Sequence, residues 1–207
     1  MAYRHDVFLS YTTEFPYGNW VHDLLLPFLG GYLHNELRRR IDIFVDRDGI
    51  RAGDDWPARL KEALVHSKSM VAVWSPSYFD SKSCVAELAV MMYRERKLGY
   101  RTTANPGGIV LPIVVHDGEY FPETARKMQW LDCNEFARIG RGFAETPKYI
   151  EFQDKLRVWA RGAASAIEQA PPWQEQFGTK RWLELAINSL CPELHMRSAK
   201  GYFPSLT

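Results

Sequence analysis

"SMVAVWSPSYFDSKSCVAEL", residues 69 to 88, passes from an apolar run through a polar loop into a segment of helical spacing. Its first part, "SMVAVW" (69–74), is nearly continuously apolar and shows no alternation, as in a strand covered on both faces of a parallel sheet. Beyond the loop, Cys84, Leu88 and Met91 form one apolar strip. Ser83, Glu87, Val90, Met91 and Arg94 follow along adjoining strips of the same helix. Three further runs share the character of the first: "DVFLSY" (6–11), "IDIFV" (41–45) and "IVLPIVV" (109–115), the last weakened locally by Pro112. A fifth, weaker strand is predicted around "MQWLDC" (128–133).

Helical patterns lie between these runs. In "WVHDLLLPFLGGYLHNELRRR" (20–40), Trp20, Leu24, Phe28, Leu33 and Leu37 recur near helical spacing, and Pro27 with Gly30–Gly31 predicts a kink or break. "DDWPARLKEALVHS" (54–67) has Asp55 as a cap, Pro57 in its first turn, and Leu60 and Leu64 four apart. "KYIEFQDKLRVWARGAASAIEQ" (148–169) places Ile150, Leu156, Trp159, Ala163 and Ile167 on one face and reads as the closing helix. A short helix and an irregular tail are expected after "APPWQEQFG". Strands alternating with helices predict a doubly wound α/β domain, whose ligands gather at the carboxyl ends of the strands. Those ends are Ser10–Tyr11, the loop 46–54, the loop 75–83 and the segment 116–121.

Composition narrows the function classes. A chain of 207 residues with 46% hydrophobic residues can fill a core, and 26 basic against 25 acidic residues leave a net charge of +1. That balance predicts attraction neither to nucleic acid nor to a membrane surface. Cys84, Cys133 and Cys191 are widely spaced, which suits free thiols in a reducing cytoplasm better than a disulfide framework. The sequence contains neither a signal-peptide pattern nor an apolar run long enough to span a bilayer.

Several common chemistries are excluded by what is missing. The chain has no phosphate-binding loop, no G-x-G-x-x-G, no H-E-x-x-H and no G-x-S-x-G, and its six histidines suit no metal site. The loop "DRDGIRAGDDW" (46–56) gathers charge around Gly49 and Gly53, so it reads either as a binding loop offering Arg47 or Arg51 or as a solvated turn. Ser10, Tyr11 and Thr12 bring hydroxyls and a ring to the end of the first strand. Tyr11 could stack on a base or sit as a rim tyrosine with a wet hydroxyl. Glu87 reads either as a residue complementing the helix dipole or as a site carboxylate.

Taken together, "HDVFLSY", "IFVDRDGIRAGDDWPARLKEAL", "SKSMVAVWSPSYFDSKSCVAEL" and "GGIVLPIVV" resemble, in order and spacing, the Toll/interleukin-1 receptor (TIR) domain family in its bacterial form. The resemblance covers about residues 3 to 168, with 169–207 as a C-terminal extension. It implies a flavodoxin-like five-stranded parallel sheet flanked by helices. Family members are either scaffolds that bind other TIR domains or enzymes that cleave NAD+ at the nicotinamide–ribose bond, and the latter place a glutamate at a C-x-x-E position. Here that position is Cys84 to Glu87.

The resemblance implies Glu87 as the catalytic residue. Substrate contacts would come from Ser10, Tyr11, Thr12, Asp46, Arg51, Ser75, Tyr78 and Ser83, with NAD+ as substrate and no separate cofactor or metal. It further implies self-association and a role, with a partner protein, in anti-phage defence. Two positions depart from the family pattern. Ser83 stands where enzymatic members often carry tryptophan, and Ala52 stands where many carry proline.

Overall fold

The structure, a computed structural model, describes residues 2–46 and 58–194. Arg47, Gly49, Arg51, Ala52, Gly53, Asp55, Pro57 and His195 lie outside the described residues. Five strands, β1 (His5–Ser10), β2 (Ile43–Val45), β3 (Ser67–Trp74), β4 (Val110–Val114) and β5 (Leu131–Asp132), form one parallel sheet in the order β2-β1-β3-β4-β5. The apolar runs seed the central strands β1, β3 and β4 because these are covered on both faces. In β1, Val7 and Leu9 enter one core cluster, and Phe8 enters the other. Successive side chains point to opposite faces, so apolarity has to be continuous.

The helices are α1 (Tyr17–Trp20), α2 (Leu26–Leu37), α3 (Ala58–Val65), α4 (Pro76–Asp80), α5 (Lys82–Lys97), α6 (Glu123–Arg126), α7 (Arg141–Ala144), α8 (Pro147–Glu168) and α9 (Lys180–Leu194). The cluster on one face joins α2 and α8 to the sheet; the other joins α3, α4, α5 and α9. The irregularity expected at Pro27 and Gly30–Gly31 falls upstream of them, as a π-turn over Val21–Leu25 in which the Leu26 N–H donates to the Val21 carbonyl. Pro27 has no N–H to continue the ladder, and the wider turn before it absorbs the mismatch. Gly30 and Gly31 sit inside regular helix.

Two sequence expectations need correction. In α8 the buried residues are Phe152, Leu156, Ala160, Ala163, Ala164 and Ile167, whereas Ile150 is 64% exposed. The buried face is rotated from the one first read, because Phe152 fills the core against Trp20 and Phe28. The short C-terminal helix is longer than expected. α9 has 15 residues and buries Trp182, Leu183, Ala186, Leu190 and Leu194 in the core cluster that includes α5.

Arg94 of α5 is fully buried, and its guanidinium donates to the carbonyls of Ser67 (2.8 Å), Val65 (3.1 Å) and Leu64 (3.5 Å). Leu64 and Val65 end α3, so Arg94 caps that helix from the side. The guanidinium also lies 4.5 Å from the Phe177 ring centroid, tying the segment before α9 to the core. Burial pulls its pKa down to about 10, still well above neutrality. Arg94→Met is expected to leave these carbonyls without their partner and to cost about 2–3 kcal/mol. Thermal melts should show this as a loss of roughly 5–10 °C.

Candidate active site

In a sheet of this order the strand order reverses between β1 and β3, which opens a crevice at the carboxyl end of β1. A cavity of about 260 Å³ lies there, with Ser10, Tyr11 and Thr12 on one side, Asp46 beyond β2, and Ser83 and Glu87 on α5. Six residues singled out from the sequence therefore meet at one site. Arg51 lies outside the described residues. Tyr78 and Ser75 do not line the cavity, and their positions explain why.

The approach to α5 is built by two serine caps. Ser75 is buried and its Oγ accepts from the Tyr78 N–H at 3.3 Å, capping α4. Ser81 Oγ accepts from the Cys84 N–H at 3.4 Å and caps α5. Because α5 begins at Lys82, Glu87 stands in its second turn. The helix dipole acts mainly within the first turn, so it does not account for Glu87. Cys84, Leu88 and Met91 are buried as the apolar strip predicted, and they hold this face of the helix against the sheet.

Glu87 is 5% exposed. Its Oε2 accepts from Ser10 Oγ at 2.6 Å, and Ser10 Oγ lies 2.9 Å from the Tyr78 hydroxyl. Burial raises the Glu87 pKa from 4.5 to about 8; the Ser10 bond works against that rise, and the nearby Asp46 carboxylate adds to it. The same burial pushes the Cys84 thiol up to about 12 and the Tyr78 phenol well above its ordinary value. At neutral pH the site thus holds a mostly protonated carboxyl group.

Tyr11 is 8% exposed, and its hydroxyl is engaged by protein groups. It donates to the Asp46 carbonyl at 2.8 Å and lies 2.6 Å from His22 Nε2. Since the phenol proton goes to the carbonyl, His22 Nε2 carries the hydrogen of the second bond. The Asp46 carboxylate pairs with Arg59 at 3.1 Å. Asp46, the last described residue before position 58, is therefore held through both backbone and side chain. Thr12 Oγ1 accepts from the Glu14 N–H at 3.3 Å, and Ser83 Oγ lies 3.1 Å from Ser81 Oγ.

Sequence reasoning missed Thr13, Glu14, Ser77, Asp80 and Ser81, which complete the cavity wall. It also missed His22, whose role depends on the helix after β1 folding back beside Tyr11. Glu14 and Asp80 join Asp46 and Glu87 in giving the described wall four carboxyl groups. Such a wall favours a cationic group on a bound ligand. Among the described residues no three His, Cys, Asp or Glu side chains gather to hold a metal ion. No helix among them is long and apolar enough to cross a membrane.

Residues 7–145 match the family model described as TIR domain. The chain is 31% identical over 176 residues to the disease resistance protein RUN1 of Vitis rotundifolia, covering 84% of this chain and 11% of that protein. It is 32% identical over 89 residues to the "Probable 2' cyclic ADP-D-ribose synthase" of Brachypodium distachyon, covering 42% of this chain and 40% of that protein. The chain thus spans about a tenth of the Vitis protein's length and less than half of the Brachypodium protein's. Among solved structures it is similar to the TIR domain of the Toll-related receptor TRR-2 of Hydra magnipapillata. That likeness has TM-score 0.41 and 21% identity, with 73% of this chain and 98% of that one covered.

Proposed function

The chain belongs to the TIR domain family, and from that premise we propose that it is an NAD+-cleaving enzyme in which Glu87 is the catalytic carboxylate. The observation that carries the reading is a buried glutamate at the topological switch point, opening on a cavity with an acidic wall. The similarity to a probable cyclic ADP-ribose synthase supports the reaction class.

The chemistry suits a single carboxylate. A glycosidase needs a general acid because its leaving group departs as a poor alkoxide. Nicotinamide in NAD+ is already cationic. When the bond from C1′ to the ring nitrogen breaks, the electron pair neutralises the nitrogen and no proton is required. Positive charge grows on the ribose, and a preorganised carboxylate stabilises it. Water then adds at C1′ and loses a proton, giving ADP-ribose; attack by a hydroxyl of the same molecule gives a cyclic isomer instead.

The disease-resistance relative supports a defence role for this activity. Self-association through TIR–TIR contacts and an antiviral setting belong to the same proposal, carried over from the family resemblance. Incubation of the protein with NAD+ over a range of protein concentrations, followed by chromatography, should show nicotinamide with ADP-ribose or a cyclic product. Absence of both products at every concentration would remove the enzymatic reading.

One observation favours a second reading, a non-catalytic module that binds other TIR domains. Ser83, one turn before Glu87, offers a small hydroxyl to the cavity where enzymatic relatives often place an aromatic ring. Under that reading Glu87→Gln retains biological activity, and substitutions in the loop 46–54 abolish it.

A further inference from the structure

The reading of Glu87 as the catalytic group leaves open what aims it. Ser10 ends β1 and is 1% exposed; by strand alternation its side chain shares the face of Phe8, the face on which α4 and α5 pack. It thereby meets Glu87 Oε2 at 2.6 Å and the Tyr78 hydroxyl at 2.9 Å. A serine hydroxyl has one hydrogen to give. When Glu87 is ionised it only accepts, so Ser10 donates to it and Tyr78 donates to Ser10. Three groups from β1, α4 and α5 form a chain of donors running toward one carboxylate oxygen. The other oxygen, Oε1, makes no hydrogen bond among the described residues, and Glu87 lines the cavity.

We infer that Ser10 is a positioning residue for Glu87: backed by the Tyr78 phenol, its hydroxyl fixes Oε2 so that Oε1 is presented to the substrate. This rests on the proposed function, and it reassigns Ser10 from substrate contact to support. Both hydrogen-bonding directions of the hydroxyl are already engaged. A bond to a charged acceptor is roughly twice as strong as a neutral one, so the chain favours the ionised form and opposes the effect of burial. Among the described residues, the other titratable groups around Glu87 are Cys84 on α5, Tyr78 on α4, Tyr11 at the end of β1, Asp46 with its partner Arg59, and Glu14 and Asp80 across the cavity. Those nearest and most buried, Cys84 and Tyr78, stay protonated over the pH range used here.

The test compares wild type, Ser10→Ala, Ser10→Thr and Tyr78→Phe in two ways. Thermal melts from acid to alkaline pH are recorded for each protein and for the same protein carrying Glu87→Gln; the difference isolates the Glu87 titration. Ser10→Ala is expected to move its upper end from about 8 upward by about one pH unit, with Tyr78→Phe moving it less and Ser10→Thr holding it near wild type. This readout needs no NAD+, so it decides the inference even if the wild type cleaves nothing and the functional reading fails. In an active protein, Ser10→Ala should lower kcat/KM roughly tenfold at neutral pH and shift the pH profile of kcat/KM by the same amount as the melts. A Ser10→Ala profile superimposed on wild type in the melts would overturn the inference. A kcat/KM lowered by the same factor at every pH, with its pH profile unmoved, would also overturn it, by returning Ser10 to substrate binding.

Discussion

Glu87→Gln is expected to stabilise the protein by about 3–5 kcal/mol above pH 8 and to leave its stability nearly unchanged below pH 4.5. The sign follows from burial. Glu87 titrates near 8 in the folded chain and near 4.5 when unfolded, so between these values the folded state keeps a proton that the unfolded state releases. Stability from this group is present below 4.5 and is lost as pH rises through 8. Glutamine cannot ionise, fits the same space and can still meet Ser10 Oγ, so the variant escapes the loss. At two to four degrees per kcal/mol for a domain of this size, Tm should rise by about 10 °C at pH 8.5. A site residue that destabilises its own fold is the usual mark of function over stability. If Glu87 instead served only the fold, the substitution would lower Tm at every pH.

The second large effect is on the pH dependence of cleavage. kcat/KM reports the free enzyme, whose carboxyl titrates near 8, and should therefore fall about tenfold per pH unit below that value. Under the proposed function, bound NAD+ brings its pyridinium cation to Glu87 and favours the carboxylate, so kcat should level off at lower pH than kcat/KM. Under that proposal, substrate binding ionises the group that burial keeps neutral in the free protein. Initial rates at saturating and limiting NAD+ across pH 5.5–9.5 would separate the two profiles; coincident, flat profiles would show that Glu87 does not set the rate.

The sheet was legible in the sequence because a parallel strand buried on both faces has to be apolar at every position. "DVFLSY", "IDIFV", "SMVAVW" and "IVLPIVV" carry that signal, and even the two-residue β5 falls within the weak run predicted for it. Helix faces were less legible. In α8, Ile150 and Phe152 are both apolar, and only the position of Trp20 across the interface decides which is buried. The length of α9 was hidden for a similar reason, since its apolar residues have meaning only against α5. Of the candidate site, Glu87, Ser10, Tyr11, Thr12, Asp46 and Ser83 converge because strand ends and helix starts are fixed by topology. The support beneath them was not legible. Ser75, expected from the resemblance as a substrate contact, is a helix cap in space, and His22 reaches Tyr11 only through the fold.

The most direct measurement of the central claim is nicotinamide release from NAD+ at pH 8.5 by wild type and Glu87→Gln, both verified as folded and compared at matched concentrations. The account predicts release by the wild type and a rate at least about a hundredfold lower for the variant, the scale expected when a group that stabilises transition-state charge is removed. Equal release by the two proteins, or none by the wild type at any concentration, would contradict it.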